Sequence, residues 1–321
     1  MRRTQRGVAL VTAILMVALA TVAAVAMATR QQLDIRRTGN LLHSEQAWAY
    51  VLGAESWARV VLARDLRESQ RDSLDEDWAT QVPAALVEGG SVAGRLVDLQ
   101  GRFNINSLVS QGRAVPAAVD RFKRLLQVLE ISETLAEALV DWLDEDINAG
   151  FPDGAEDNAY LLVQPAYRTA NRPMASVSEL RLVQGFTAEV VDKLLPFVCA
   201  LPSSSAAVNV NTAPPEVLRT LAAGLSEADG EALAAARDQN PFDDVAKFLA
   251  EAPLAGKQVD PDSVSVSSQW FRLLAASDVG QGHAELTSLI QRSRRQTAVV
   301  RRERLLREPV QVVAPQDQNG D

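Results

Sequence analysis

An uncharged run over residues 8–28 limits what this chain can fold into more than anything else in it. About 21 residues rising 1.5 Å each make a helix of roughly 30 Å, the thickness of a bilayer's hydrocarbon core. Ahead of the run, residues 1–7 carry Arg2, Arg3 and Arg6 and end in Gly7. Cationic flanks stay on the cytoplasmic side, so the bulk of the chain is expected beyond the membrane.

The residues alone leave three fates open for this run. It could be a secretory signal, with Ala24-Val25-Ala26 or Ala26-Met27-Ala28 as the cleavage site. It could be a plain N-terminal anchor. It could follow a prepilin-type leader, cut after Gly7 on the cytoplasmic face, which leaves the apolar helix on the mature protein with Val8 as its N-terminus. The lone glycine at the junction of basic and apolar sequence favours the third.

The chain has 321 residues, 47% hydrophobic and 23% charged, enough for one membrane helix plus one large or two modest domains. Its net charge is −9, and loss of the three leader arginines takes it to −12. That argues against a protein whose main work is to hold nucleic acid. Cys199 is the single cysteine, so no intramolecular disulfide can form. With only His43 and His283, zinc binding or histidine catalysis has little to build on. No nucleophile–base pair can be nominated, and the chain is expected not to be an enzyme.

Beyond Ala28, residues 29–66 lack proline and keep Leu33, Leu41, Ala47, Val51, Ala54, Ala58, Val61 and Leu62 at helical spacing. One long helix is expected, apolar all round and then amphipathic, with weak points at Gly39-Asn40 and Gly53. Trp48, Tyr50 and Trp57 are expected in the core beneath a sheet. Residues 72–76 read as an acidic loop. Residues 92–106 read as strand with a turn at Gly101, and 103–260 as short helices.

Three stretches, starting at Leu126, Leu180 and Leu218, share one layout: short helix, tight turn, Ser/Thr cap, second helix. Asn104-Ile105-Asn106-Ser107 and Asn209-Val210-Asn211-Thr212 are a second echo. Past residue 260 the period becomes two, with strands expected at 264–267, 270–275, 283–290 and 297–300 and a hairpin turn over 278–282. A helical domain thus looks inserted into an antiparallel sheet.

Asp141, Asp144, Glu145, Asp146, Asn148, Asp153, Glu156 and Asp157 crowd one stretch. Carboxylates this dense repel one another unless they are solvated or bind a cation. An all-oxygen set suits calcium and not zinc. Asp144, Asp146 and Asn148 match the start of an EF-hand loop, but Ala149 stands where glycine is required and Glu156 falls one residue late. A calcium loop of another shape, held by Asp144, Asp146, Glu156 and Asp157 with Asp141 approaching from the preceding helix, and a solvated turn both remain open on spacing alone. Paired carboxylates for glycoside hydrolysis are a weak reading that any two acids would satisfy.

The Gly7/Val8 junction, Asp141-Trp142-Leu143-Asp144, Gly154-Ala155-Glu156-Asp157 with Tyr160, Asn171-Arg172-Pro173, Ser178-Glu179-Leu180 and Asn209-Val210-Asn211-Thr212-Ala213-Pro214 act together. Through them the chain resembles the minor pseudopilins of type II secretion of the K kind (GspK, XcpX), over essentially its whole length.

The resemblance implies an α+β fold: a pilin-like long N-terminal helix and antiparallel sheet with a large inserted all-α domain of helix-turn-helix pairs. The expected divisions are a prepilin leader (1–7), a transmembrane part of the helix (8–28) and a pilin-like helix with first strands (29–103). An inserted helical domain (104–260), C-terminal sheet strands (261–308) and a flexible tail (309–321) follow. It implies one or two calcium ions in the insertion, carried onto Asp144, Asp146, Glu156 and Asp157, with Asp141 and Asn171 as further ligands.

It also implies processing by prepilin peptidase, N-methylation of Val8, and a single inner-membrane pass with the bulk periplasmic. Minor pseudopilins of the I and J types would be partners at the pseudopilus tip. Most pilins carry glutamate at the fifth mature position, where this chain has Thr12. That glutamate is thought to neutralise the N-terminal amine of a subunit ahead. At a tip with no such neighbour an unpaired buried carboxylate would only cost.

The competing reading is a membrane-anchored helix-hairpin-helix DNA binder, because residues 209–248 resemble the unit of competence DNA receptors. Glu227, Asp229 and Glu231 beside the Gly224 turn would repel phosphate.

Overall fold

The structure, a computed structural model, describes residues 5–80 and 84–304. The expected flexible tail, the last residues of the expected C-terminal strands and most of the leader lie outside the described residues.

With no proline to break it, the first element is a single helix, α1 (Gln5–Glu68), of 64 residues, or about 95 Å. It runs through Gly39 and Gly53 without interruption. Residues 8–38 are exposed throughout, and within them the uncharged 8–28 has the length and composition of a membrane span. Leu33 and Leu41, expected on the buried stripe, are also exposed (50% and 61%). The sheet reaches back along α1 only to His43, whose Nδ1 accepts from the backbone N–H of Gln281 at a hairpin turn. From there Ala47, Val51, Ala58 and Leu62 form one fully buried face.

That face packs on a five-stranded antiparallel sheet. Its strands are β1 (Ala85–Val87), β2 (Gly90–Asp98), β3 (Trp270–Val279), β4 (Gly282–Arg292) and β5 (Thr297–Glu303), in that spatial order. Phe271, Leu273, Ala275, Leu286 and Ile290 meet the helix, and Trp78 sits edge-on to Phe271 at 5.1 Å. Trp48 and Tyr50 are half-buried in this core, but Trp57 is 54% exposed, contrary to expectation. It immediately precedes Ala58, about 100° round the helix from that residue, and lines a cavity beside β2 with Val92 and Gly94.

Neighbours β2 and β3 are paired from Gly90↔Val279 to Asp98↔Phe271, yet the whole insertion lies between them in sequence. It consists of two successive units of one plan. In the first, Phe103–Asn104 pairs in parallel with Val198–Cys199. Between them lie α2 (Pro116–Val128), α3 (Leu135–Leu143), α4 (Asp157–Tyr160) and α5 (Ala188–Leu194). In the second, Val208–Asn209 pairs in parallel with Val264–Ser265 around α6 (Pro215–Leu218), α7 (Glu227–Gln239) and α8 (Val245–Leu249). Residues 264–267, expected in the main sheet, therefore close the second unit instead.

The Asn-x-Asn echo explains why the units match. The first asparagine of each caps the backbone N–H of the second, Asn104 for Asn106 and Asn209 for Asn211. The second asparagine imitates a strand: Asn106 exchanges two hydrogen bonds with the backbone of Met174, and Asn211 two with Phe242. The three helix–turn–helix layouts form, with left-handed backbone at Glu130, Gly185 and Gly224, but the expected cap is missing in the first, where Thr134 precedes α3 without a side-chain cap hydrogen bond. Thr187 and Ser226 cap the helices that follow the last two turns.

The second unit is bolted to the sheet by buried polar groups. Asp98 Oδ2 accepts from Asn209 Nδ2 (3.0 Å), Ser268 Oγ (2.6 Å) and Thr212 Oγ1 (2.5 Å). Arg292 of β4 donates to Asp65 (2.6 Å) and to Asp72 in the acidic loop. That loop is thus an anchored segment: Asp72 and Ser73 are buried.

Candidate metal centre

α3 is amphipathic, with Ala136, Leu139, Trp142 and Leu143 buried. Its last turn therefore points Asp141 inward, and Asp144 follows as its C-cap. Tyr160 of α4 packs edge-on to Trp142 at 5.2 Å, and Tyr167 lies 5.4 Å from Tyr160. These aromatics pin residues 145–170 against α3.

Asp141 organises the loop. Its two oxygens accept from the backbone N–H of Gly150 at 3.1 and 3.0 Å. Space here admits only glycine at position 154: a Cβ would stand 2.2 Å from Asp141 Oδ2 and 2.3 Å from the Gly150 nitrogen.

Asp144, Asp146 and Glu156 each bring one carboxylate oxygen within 4.8 Å of the others. Asp144 and Glu156 are buried, and Asp146 is exposed. Asp144 Oδ1 and Glu156 Oε1 are sealed from solvent with no donor, as is Asn171 Oδ1. Asn171 is in the left-handed region (φ 45°), and its Nδ2 donates to the Asp146 carbonyl at 3.0 Å, so its side chain is held at the cluster. Thr169 Oγ1 donates to Glu156 Oε2 at 2.8 Å.

Burial, aided by the charges of Asp146, Asp141 and Glu156, pushes the Asp144 carboxyl up to about 7. Burial also raises Asp141 and Glu156 above the usual carboxylate range. Repelling carboxylates and orphaned oxygens around one point are what a hard cation relieves. The donors are all oxygen, and they fit calcium.

Asp157 does not join the three. Its oxygens accept from Thr169 and from Arg168 Nη1 (3.1 Å). Thr169 had no signal in the sequence, since nothing in its neighbourhood marks it as facing two acids. A second acidic group, Asp65, Asp72 and Glu76, also comes together, but there Arg292 supplies the cation.

At the N-terminal end Val8 lies within α1, and the Thr12 hydroxyl donates to the carbonyls of Val8 and Ala9 at 3.0 Å each. It needs no partner from another chain. At the Gly224 turn the Ser226 N–H and hydroxyl both donate to Asp229 Oδ2. A carboxylate held at that turn opposes a phosphate there, and none of the matches that follow is a nucleic-acid-binding protein.

Two family models described as "Type II secretion system (T2SS), protein K" match residues 101–203 and 208–267, the two units of the insertion. The chain is 40% identical over 305 residues to type II secretion system protein K of Pseudomonas aeruginosa, covering 92% of this chain and 91% of that one. It is 35% identical to the Klebsiella pneumoniae protein of the same name, with 94% and 97% covered. Among solved structures, a chain of the GspK–GspI–GspJ complex from the enterotoxigenic Escherichia coli type 2 secretion system matches with a TM-score of 0.73 and 30% identity. The match covers 83% of this chain and 98% of that one.

Proposed function

The chain belongs to the type II secretion system protein K family, and we propose that it works there as a structural subunit without catalysis, a minor pseudopilin at the pseudopilus tip. The observation that carries this is the likeness to a chain solved in complex with GspI and GspJ. The exposed apolar run of α1 suits bundling with like helices in the inner membrane, with the sheet and insertion on the periplasmic side. Prepilin peptidase would cut after Gly7, on the cytoplasmic face, and Val8 would become the methylated N-terminus. The self-satisfied Thr12 hydroxyl suits a subunit with none ahead of it.

Calcium would be held by Asp144, Asp146 and Glu156 with Asn171 Oδ1, as one ion or two, while Asp141, Gly154 and Thr169 keep those oxygens in place. The ion would supply charge neutralisation that lets the loop fold at neutral pH.

Co-expression with the I- and J-type pseudopilins of the same system, followed by detergent extraction, tests the assembly. A ternary complex in about equal amounts is expected. Extraction of this chain alone, with I and J still paired, contradicts the reading.

A further inference from the structure

The loop that gathers the acids also carries two large apolar side chains that pack on nothing. Phe151 is 94% exposed and Ile147 77% exposed. The backbone beneath them is held on both sides. Both Asp141 oxygens accept from the Gly150 N–H, and the Gly154 N–H donates to the Gly150 carbonyl at 2.8 Å. Asn171 Nδ2 donates to the Asp146 carbonyl, and the Asn148 N–H donates to Asp146 Oδ1 at 2.7 Å. Phe151 and Pro152 thus stand at the tip of a turn closed between Gly150 and Gly154, and both face solvent.

A single exposed aliphatic residue on a surface needs no explanation. A phenylalanine turned outward on a pinned turn is different. The ordering that binding usually costs is complete before any contact is made, and rigid aromatic side chains are the anchors of protein interfaces.

The surroundings state the chemistry of the receiving surface. From Asp144 to Tyr167 the chain has six carboxylates and neither Lys nor Arg. Glu145, Asp146 and Asp153, which flank the two apolar residues, are exposed. A complementary surface offers an apolar pocket with cations around it. A bilayer does not fit, since its anionic headgroups would meet these acids. The same loop of a second copy would repeat them.

We propose that Phe151, with Ile147 beside it in the loop, is an anchor that enters an apolar pocket on a partner protein, and that the rim of that pocket carries lysine or arginine.

The test places a photoreactive side chain in the full-length protein, Phe151→p-benzoylphenylalanine, in cells that carry the rest of the secretion system. Illumination is expected to give a protein adduct whose mapped peptide lies beside Lys or Arg. The same probe at Leu86, exposed on β1 of the sheet, should not give it. Adding Asp153→Lys should lower the yield at least about fivefold, Asp153→Asn should lower it less, and Glu in place of the mapped partner cation should restore the Asp153→Lys yield. No protein adduct from position 151, adducts with lipid alone, the same adduct from Leu86, or a yield indifferent to Asp153→Lys and Asp153→Asn overturns the proposal.

Discussion

Asp144 bears the largest upward shift in the acidic loop, and its consequences have a definite sign. Burial, with the neighbouring acids, pushes its carboxyl up to about 7 from an ordinary 3.8. The folded state therefore holds the proton better than the unfolded one. Its contribution to stability is full below 3.8 and is lost as pH rises through about 7. On the calcium reading, the ion takes over where the proton leaves. The rise in melting temperature on adding calcium to chelator-treated protein should be larger at pH 8 than at pH 5; an equal rise at both would detach the effect from Asp144. Calorimetric titration should show Asp144→Asn losing about tenfold or more in calcium affinity, roughly 1.4 kcal/mol or more, and Asp157→Asn losing little. Equal losses would mean that Asp157 turns into the site. Spacing in the sequence placed these acids in one loop. It did not reveal which way each carboxylate faces, because the packing of Tyr160 on Trp142 and the Gly154 contact decide that.

Among the elements, the paired asparagines are the most telling. Asn106 and Asn211 each satisfy a backbone N–H and C=O across their unit, in place of a strand neighbour. Asn211→Ala leaves both groups of Phe242 without these partners in a buried setting, at a cost of roughly 2–4 kcal/mol. Asn211→Asp keeps one acceptor but loses the donor and buries a charge, and should be at least as damaging. Urea unfolding measures both; a change below about 0.5 kcal/mol would make the echo decorative. The helix–turn–helix pairs and the last three sheet strands were legible because periodicity, caps and turn residues agree there. The two-residue parallel pairs were not, since they have no period and exist only through long-range pairing. This is also why residues 264–267 read as a sheet strand. Trp57 reads as core by its aromatic character, but its place on the helix turns it out of the buried face.

For the whole molecule, a sheet interrupted by two like units, with a rod of about 95 Å at one end, follows from where polarity and period change along the chain. What no local pattern carried is the fastening of the insertion to the sheet through Asp98, Asn209 and Thr212, residues far apart in sequence. The rod is the part on which the function turns, since a tip subunit must keep it and a secreted protein must shed it. The most direct measurement is the N-terminal sequence of the membrane-extracted protein from cells with an active prepilin peptidase. The account predicts a chain beginning at Val8, and an uncut precursor for Gly7→Ala. A chain beginning near Thr29, with the apolar run gone, would contradict it.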